Sequence, residues 1–188
     1  EMLAELAAVV EQATTALDNF DHAKALEVTE KFFWAFCDDY LELVKERAYG
    51  AGTPEAQASA NRALHTAIDV FLRLFAPYLP FATEEVWRWT HDTSVHTATW
   101  PTADELGVTA APSGLFSAVS QALITIRRAK TDAKASQKTE VTSGPALIAA
   151  AIDDLKAVGR IHELTIVDAD EIEVRDIVLV EAAPETSA

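Results

Sequence analysis

One stretch governs what this chain can fold into. Glu30 to Arg47 reads EKFFWAFCDDYLELVKER and sets Phe32, Phe33, Trp34, Phe36, Tyr40, Leu41, Leu43 and Val44 within fifteen positions. A helix so apolar around its circumference cannot rest on a surface and has to be wrapped by others. Asp38, Asp39, Glu42, Lys45, Glu46 and Arg47 keep one side of it toward water. The sequence on either side must therefore supply the wrapping helices.

It does. Leu3, Leu6, Val10, Ala13, Leu17 and Phe20 recur at spacings of three and four, which predicts a first amphipathic helix. Asn19-Phe20-Asp21 breaks it, and Asp21 is placed to cap a second helix running from about His22 to Tyr49. Gly50-Ala51-Gly52 ends that helix. Thr53-Pro54-Glu55 combines a capping hydroxyl with proline at the first helical position. A third helix follows, carrying Ala60, Ala63, Leu64, Ala67, Ile68, Phe71, Leu72 and Phe75, its alanines leaving room for the bulky second helix. Pro77 stops it, Pro77-Tyr78-Leu79-Pro80 makes a rigid turn, and a short fourth helix begins at Phe81. From His91 to Gly114 the threonines, prolines and glycines read as an ordered loop and then a linker.

Beyond Gly114 the pattern changes. Leu115, Val119, Ala122, Ile126, Ala129 and Ala133 predict a helix to about Ala135. Glu140 to Thr142, Ile161 to Val167 and Ile177 to Val180 have the β-branched content of strands, and Pro145 to Val158 reads as a helix between them. The expected architecture is mainly α: an antiparallel helical bundle over residues 1–112, followed by a small α/β subdomain over 113–188.

Composition excludes several functions. Apolar residues are 49% of the chain, charged residues 24%, and no run approaches the roughly 20 apolar residues of a membrane span. Cys37 is the only cysteine, so an internal disulfide and a multi-cysteine metal site are excluded, and a reducing, cytoplasmic setting fits. The chain opens on Glu1-Met2 with no capping residue ahead of its first apolar stripe, which reads as the C-terminal portion of a longer protein. There is no glycine-rich phosphate loop and no nucleophile with a nearby base, so no catalytic residue is assigned. The five histidines are scattered and read as ordinary surface or capping residues. Adjacent carboxylates such as Asp38 and Asp39 point about a hundred degrees apart on a helix, which suits one solvated and one bonded to a neighbouring helix rather than an acid/base pair. The acidic turn from Asp168 to Glu173 lacks the ligand spacing of a calcium loop, so no metal ligand is assigned either.

A net charge of −15 argues against broad affinity for nucleic acid. One segment runs against it. Arg127, Arg128, Lys130, Lys134 and Lys138 are five of the fifteen Lys and Arg, with only Asp132 opposing them. On a helix Arg127, Lys130 and Lys134 share one arc. Such an arc suits a phosphate backbone, and it equally suits a face that only keeps a helix soluble.

Two longer motifs carry a resemblance. Trp34-Ala35-Phe36-Cys37-Asp38-Asp39-Tyr40-Leu41-Glu42-Leu43-Val44-Lys45 resembles the W-x-x-F-C-D-x-Y-L-E-x-x-K segment of the valyl-tRNA synthetase family. Phe75 to Trp87 resembles the A-P-x-x-P-F-x-T-E-E-x-W segment of the same anticodon-binding domain. Val95-His96 before Trp100-Pro101, and Ile126-Arg127-Arg128-Ala129-Lys130, are similar to shorter runs of that family. The proline-rich motif is shared with isoleucyl relatives, whereas F-C-D-x-Y-L-E favours valine.

The resemblance implies a class I synthetase anticodon-binding bundle that holds the anticodon stem-loop of tRNA(Val). It implies catalytic and editing domains elsewhere in the same polypeptide, using ATP and magnesium. The HIGH and KMSKS signatures are absent from this sequence, so this portion is expected to carry no cofactor and no ligase activity alone. It also implies no membrane partner. The motif residues Trp34, Phe36, Cys37 and Tyr40 are expected to pack the bundle. Candidate RNA contacts are Lys45 and Arg47 at the end of the central helix, with Arg127, Arg128, Lys130, Lys134 and Lys138. A helical scaffold that never touches RNA is the competing reading, motivated by the −15 charge.

Overall fold

A computed structural model describes residues 1–108, 114–132, 143–145, 152–159 and 165–167. The chain divides into two compact units, Glu1–Asp38 with Gly50–Ser113, and Asp39–Tyr49 with Gly114–Ala188. By compactness Asp39–Tyr49 belongs with the later residues.

The first unit is a helical bundle of α1 (Met2–Asp18), α2 (His22–Ala35), α4 (Pro54–Phe75) and α5 (Pro80–Trp87). Two short 3₁₀ turns follow, Val95–Thr97 and Asp104–Leu106. The starts are those the caps specify: Asp21 Oδ1 accepts the Lys24 N–H at 2.9 Å, and Thr53 Oγ1 accepts that of Ala56 at 3.2 Å ahead of Pro54. Between α1 and α2, Phe20 takes a left-handed conformation with φ of 60°.

α1 buries Met2, Leu6, Val9, Val10 and Ala13 and packs on α2 and α4. The hub of the core is Phe71 of α4, which is 1% exposed. Phe33 and Phe36 lie against it with ring centroids at 5.3 and 5.2 Å, and Phe33 also meets Phe75 edge-on at 5.3 Å. Ala60 and Ala67 of α4 are fully buried, consistent with their role as spacers.

Two expectations about the central stretch need correction. Trp34 does not pack the bundle; it is 54% exposed, with its indole N–H directed to Glu30. The aromatic three residues before Phe36 is Phe33, and it is Phe33 that shares the core face with Phe36, as i and i+3 must on a helix. Trp34 stands one residue out of that register. The second correction concerns continuity. The single helix from His22 to Tyr49 is instead α2, a π-helical turn at Phe36–Tyr40, and α3 (Leu41–Ala48). A π turn admits one extra residue without breaking helical backbone, so no glycine, proline or cap announces it in the sequence.

Loop ties complete the first unit. Tyr78 donates its hydroxyl to the His22 carbonyl at 2.8 Å, and Trp100 donates its indole N–H to Thr14 Oγ1 at 2.9 Å. Trp87 is buried with Leu72, Ala76 and Val95, and His91 stacks flat on it at 3.7 Å.

The second unit holds α3, α6 (Leu115–Asp132) and α7 (Ile152–Gly159). Two three-residue strands, β1 (Ser143–Pro145) and β2 (Thr165–Val167), pair in parallel with Ser143 opposite Thr165. α7 packs on both α3 and α6, and Leu155 at its centre is fully buried. Phe116 and Tyr40 meet edge-on at 5.7 Å. Pro145, expected to open a helix, instead ends β1. Among the described residues β1 pairs only with β2, and an edge strand tolerates a residue without an N–H. The strand readings at Glu140–Thr142 and Ile177–Val180 and the acidic turn at Asp168–Glu173 lie outside the described residues. No helix among the described residues is long and apolar enough to cross a membrane.

Candidate nucleic-acid interface

The cationic candidates come from two distant segments, and compactness gathers both into the second unit. Charge is distributed accordingly. The first unit has fifteen Asp and Glu against five Lys and Arg, and the second has fifteen against ten. In the first unit Arg73 and Arg88 are both spent on acids of that unit, Arg73 on Asp69 and Glu105 and Arg88 on Glu84.

On α3, Lys45 is exposed and pairs loosely with Glu42 one turn back, at 3.4 Å. Arg47, two residues on, points elsewhere: its Nη2 lies 3.0 Å from Asp154 Oδ2 on α7. Burial pushes the Asp154 carboxyl above its ordinary value, Arg47 opposes that rise, and Asp153 adds to it. The Arg47 Nε is buried and makes no hydrogen bond among the described residues.

On α6 the buried stripe is Phe116, Val119, Ala122 and Leu123. Arg127 follows Leu123 by one helical turn, so it continues the stripe rather than the outer face. That placement brings its Nη1 within 3.6 Å of Oδ1 of Asp39, a residue only 8% exposed. Arg128 lies on the exposed side. Lys130 belongs to α6 by its backbone, and Lys134 and Lys138 lie outside the described residues.

The carboxylate expectation for Asp38 and Asp39 is met by this geometry: Asp38 is exposed, Asp39 is buried and paired to another helix. Burial, reinforced by Asp38, pushes the Cys37 thiol up, which keeps it protonated and poorly nucleophilic. Among the described residues, no group of three or more His, Cys, Asp or Glu is placed to hold a metal ion.

The proline-rich motif turns out to hold the fold. Thr83 is buried and returns its hydroxyl to the Leu79 carbonyl at 2.9 Å. Glu84 Oε2 accepts the Ser94 hydroxyl at 2.8 Å and the Val95 N–H at 3.0 Å, while Oε1 takes Arg88 Nε at 2.7 Å. The Ser94 bond, with Arg88 and Val95, holds the Glu84 carboxyl below its ordinary value.

Sequence reasoning did not anticipate Asp39 as the partner of Arg127, Asp154 as that of Arg47, or Glu105 as that of Arg73. Arg127 and Arg73 could have been found: each falls on the apolar stripe of its own helix, where a lone cation needs a buried acid. Asp154 carried no such sign.

The sequence pattern of the family described as "Anticodon-binding domain of tRNA ligase" matches residues 1–144. Among curated proteins, the "Valine--tRNA ligase" of Leifsonia xyli subsp. xyli (strain CTCB07) is 53% identical over 98% of this chain and 22% of its own length. That of Thermobifida fusca (strain YX) is 48% identical over 97% of this chain and 21% of its own. That of Cutibacterium acnes (strain DSM 16379 / KPA171202) is 52% identical over 84% of this chain and 18% of its own. The chain thus spans about a fifth of the length of the curated relatives it matches. With residues 1–144 of its 188 matched, and with the helical bundle that the motifs imply, the chain belongs to the anticodon-binding domain family of tRNA ligases.

Proposed function

We propose that this chain is the anticodon-binding region of a cytoplasmic valine–tRNA ligase, and that it grips the anticodon stem-loop of tRNA(Val) through phosphate contacts from its second unit. The observation that carries the reading is that ten of the fifteen Lys and Arg, Lys45, Arg127 and Arg128 among them, fall in the second compact unit. Phosphate contacts fix a nucleic acid's register and need cations, not base-reading side chains. In this reading a catalytic region elsewhere in the full-length protein joins valine to the tRNA with ATP and magnesium, and this region supplies no catalytic group. Relatives named for valine support valine over isoleucine. The scaffold reading is not favoured, since the matching family is named for the anticodon.

The test is filter binding of tRNA(Val) to the full-length protein at two salt concentrations. Arg127→Glu with Lys130→Glu is expected to weaken binding by about tenfold or more and to flatten the salt dependence by about one unit of slope per lost phosphate contact. Valine-dependent ATP–pyrophosphate exchange without tRNA serves as the folding control. Unchanged tRNA affinity overturns the assignment of this patch.

A further inference from the structure

The proline-rich motif leaves one residue unexplained. Thr83, Glu84 and Trp87 hold the first unit together, yet Phe81 on the same helix is 89% exposed. It has company. Leu79, in the turn ahead of α5, is 53% exposed, and Phe20, between α1 and α2, is 84% exposed. The bond from the Tyr78 hydroxyl to the His22 carbonyl, 2.8 Å, sets these two turns side by side. Single apolar residues on a surface are ordinary, but a cluster of them marks a contact site.

Phe20 carries a second sign. The Asp21 N–H bonds to the Ala16 carbonyl at 2.8 Å and the Phe20 N–H to that of Leu17 at 2.9 Å, the pair of bonds that ends a helix through a left-handed residue. Glycine takes that conformation without a clash, whereas Phe20 holds it with a Cβ, at φ of 60°. The turn would close more easily on glycine, and the ring gains little burial within this unit in return.

Charge, size and area narrow the occupant. Residues 18–22 and 77–82 carry Asp18 and Asp21 and no Lys or Arg, in a unit with fifteen acids against five bases, so a phosphate backbone is repelled. Beside the turns, Ala76, Pro77, Val95, His96, Ala98 and Trp100 line a pocket of about 240 Å³, and His96 Nε2 lies 3.1 Å from the Pro80 carbonyl oxygen, so pocket and turn adjoin. Pockets for small molecules start at about 300 Å³, and this one is sized for a protein side chain. The three exposed side chains together present on the order of 400–500 Å². A free-standing interface covers about 800 Å² on each partner, so a second copy or a diffusing protein has too little to hold. A surface on the same polypeptide has enough, because a tether presents it at about millimolar effective concentration. The curated relatives carry about four fifths of their length beyond the stretch that this chain matches.

We propose that Phe20, Leu79 and Phe81 form the face by which this region docks against the remainder of its own full-length polypeptide. The opposing surface is apolar, with basic residues at its rim to meet Asp18 and Asp21. The inference rests on the reading of the chain as one region of a longer ligase and deepens it.

Hydroxyl-radical footprinting of the full-length protein, resolved to single residues by mass spectrometry, tests it without any substitution. Phe20 and Phe81 are expected to be modified about tenfold more slowly than in the urea-unfolded protein, close to buried Phe71, because a docked face excludes water. Rates near the unfolded ones, with Phe71 still protected, overturn the proposal. Protection that appears only when tRNA(Val) is added assigns the surface to RNA, and protection that vanishes on dilution assigns it to a second copy; either result overturns docking within one chain. Phe81→Asp puts a charge into the contact and is expected to speed modification of Phe20 about threefold or more while Phe71 stays slow. An unchanged Phe20 rate overturns the claim that both turns meet one surface. The footprint is read without tRNA, so it answers separately from the cationic patch. Exposed Phe81 together with tRNA binding lost in Arg127→Glu, Lys130→Glu overturns the docking alone; protected Phe81 together with unchanged tRNA binding in that variant supports the docking and overturns the patch.

Discussion

Arg73 and Glu105 are joined by two charge-assisted hydrogen bonds, 2.6 and 3.1 Å, although thirty-two residues separate them. Arg73 is 9% exposed and also reaches Asp69 at 2.7 Å and the Thr99 carbonyl at 3.4 Å. One side chain thus ties α4 to the loop that closes the first unit. Glu105→Ala leaves the buried guanidinium with Asp69 as its only acidic partner, beside the Thr99 carbonyl. The expected cost is about 1.5–3 kcal/mol, enough to lower the melting temperature by roughly 3–10 °C in calorimetry. A shift under about 1 °C would show that the pair holds nothing.

Glu84 gives the first unit an acid limb. Its folded pKa lies below its ordinary value of 4.5, so the native state favours the carboxylate. Its stabilising contribution is complete above that ordinary value and is lost as pH falls through the depressed one. Asp154 works in the opposite direction in the second unit, because its folded pKa is raised above 3.8 and stability there falls as pH climbs through that window. Urea midpoints followed from about pH 3 to 6 are expected to fall less steeply on acidification in Glu84→Gln than in the parent. Parallel curves would remove Glu84 from the acid response.

Phe71 and Trp34 offer a direct comparison between a core residue and a motif residue. Phe71→Ala opens a cavity at the hub where Phe33 and Phe36 meet, and is expected to cost about 3–5 kcal/mol. Trp34→Ala removes an aromatic that is 54% exposed and is expected to change stability by less than about 1 kcal/mol. Comparable losses in chemical denaturation would show that Trp34 is buried after all.

Cys37 is expected to be a sluggish thiol. Burial and the neighbouring Asp38 raise its pKa, so less thiolate is present at neutral pH than in a free cysteine. Modification by a disulfide reagent at about pH 7.5 is expected to be several-fold slower than for glutathione, approaching it in denaturant. A native rate equal to the denatured one would contradict this.

The helices of the first unit were legible because their ends carry chemistry. Asp21, Thr53-Pro54 and Pro77 each supply or withhold a backbone hydrogen bond, and the boundaries fall where they act. The π turn at Phe36–Tyr40 was not legible, since an extra residue in a helix needs no special side chain. Trp34 was not legible from the motif, because membership of a motif says nothing of helical phase; Phe33, three residues before Phe36, has the core phase. The candidate site was half legible. Cations can be counted in a sequence, and Arg127 and Arg47 were found that way. Their partners Asp39 and Asp154 come from other elements, and no spacing rule joins residues across a fold.

Four tryptophans would ordinarily make this chain hard to follow by light, yet one of them is set apart. The imidazole of His91 lies flat on Trp87 at 3.7 Å and 9°, with Asp69 3.2 Å from its Nε2. The ring covers one face of an indole that is itself only 5% exposed, so Trp87 is kept from water on that side too. Trp34 and Trp89, both largely exposed, emit without that neighbour. The buried, stacked indole is therefore a local optical reporter of the packing at the end of α5, readable in the unlabelled protein as emission to the blue of the two exposed tryptophans.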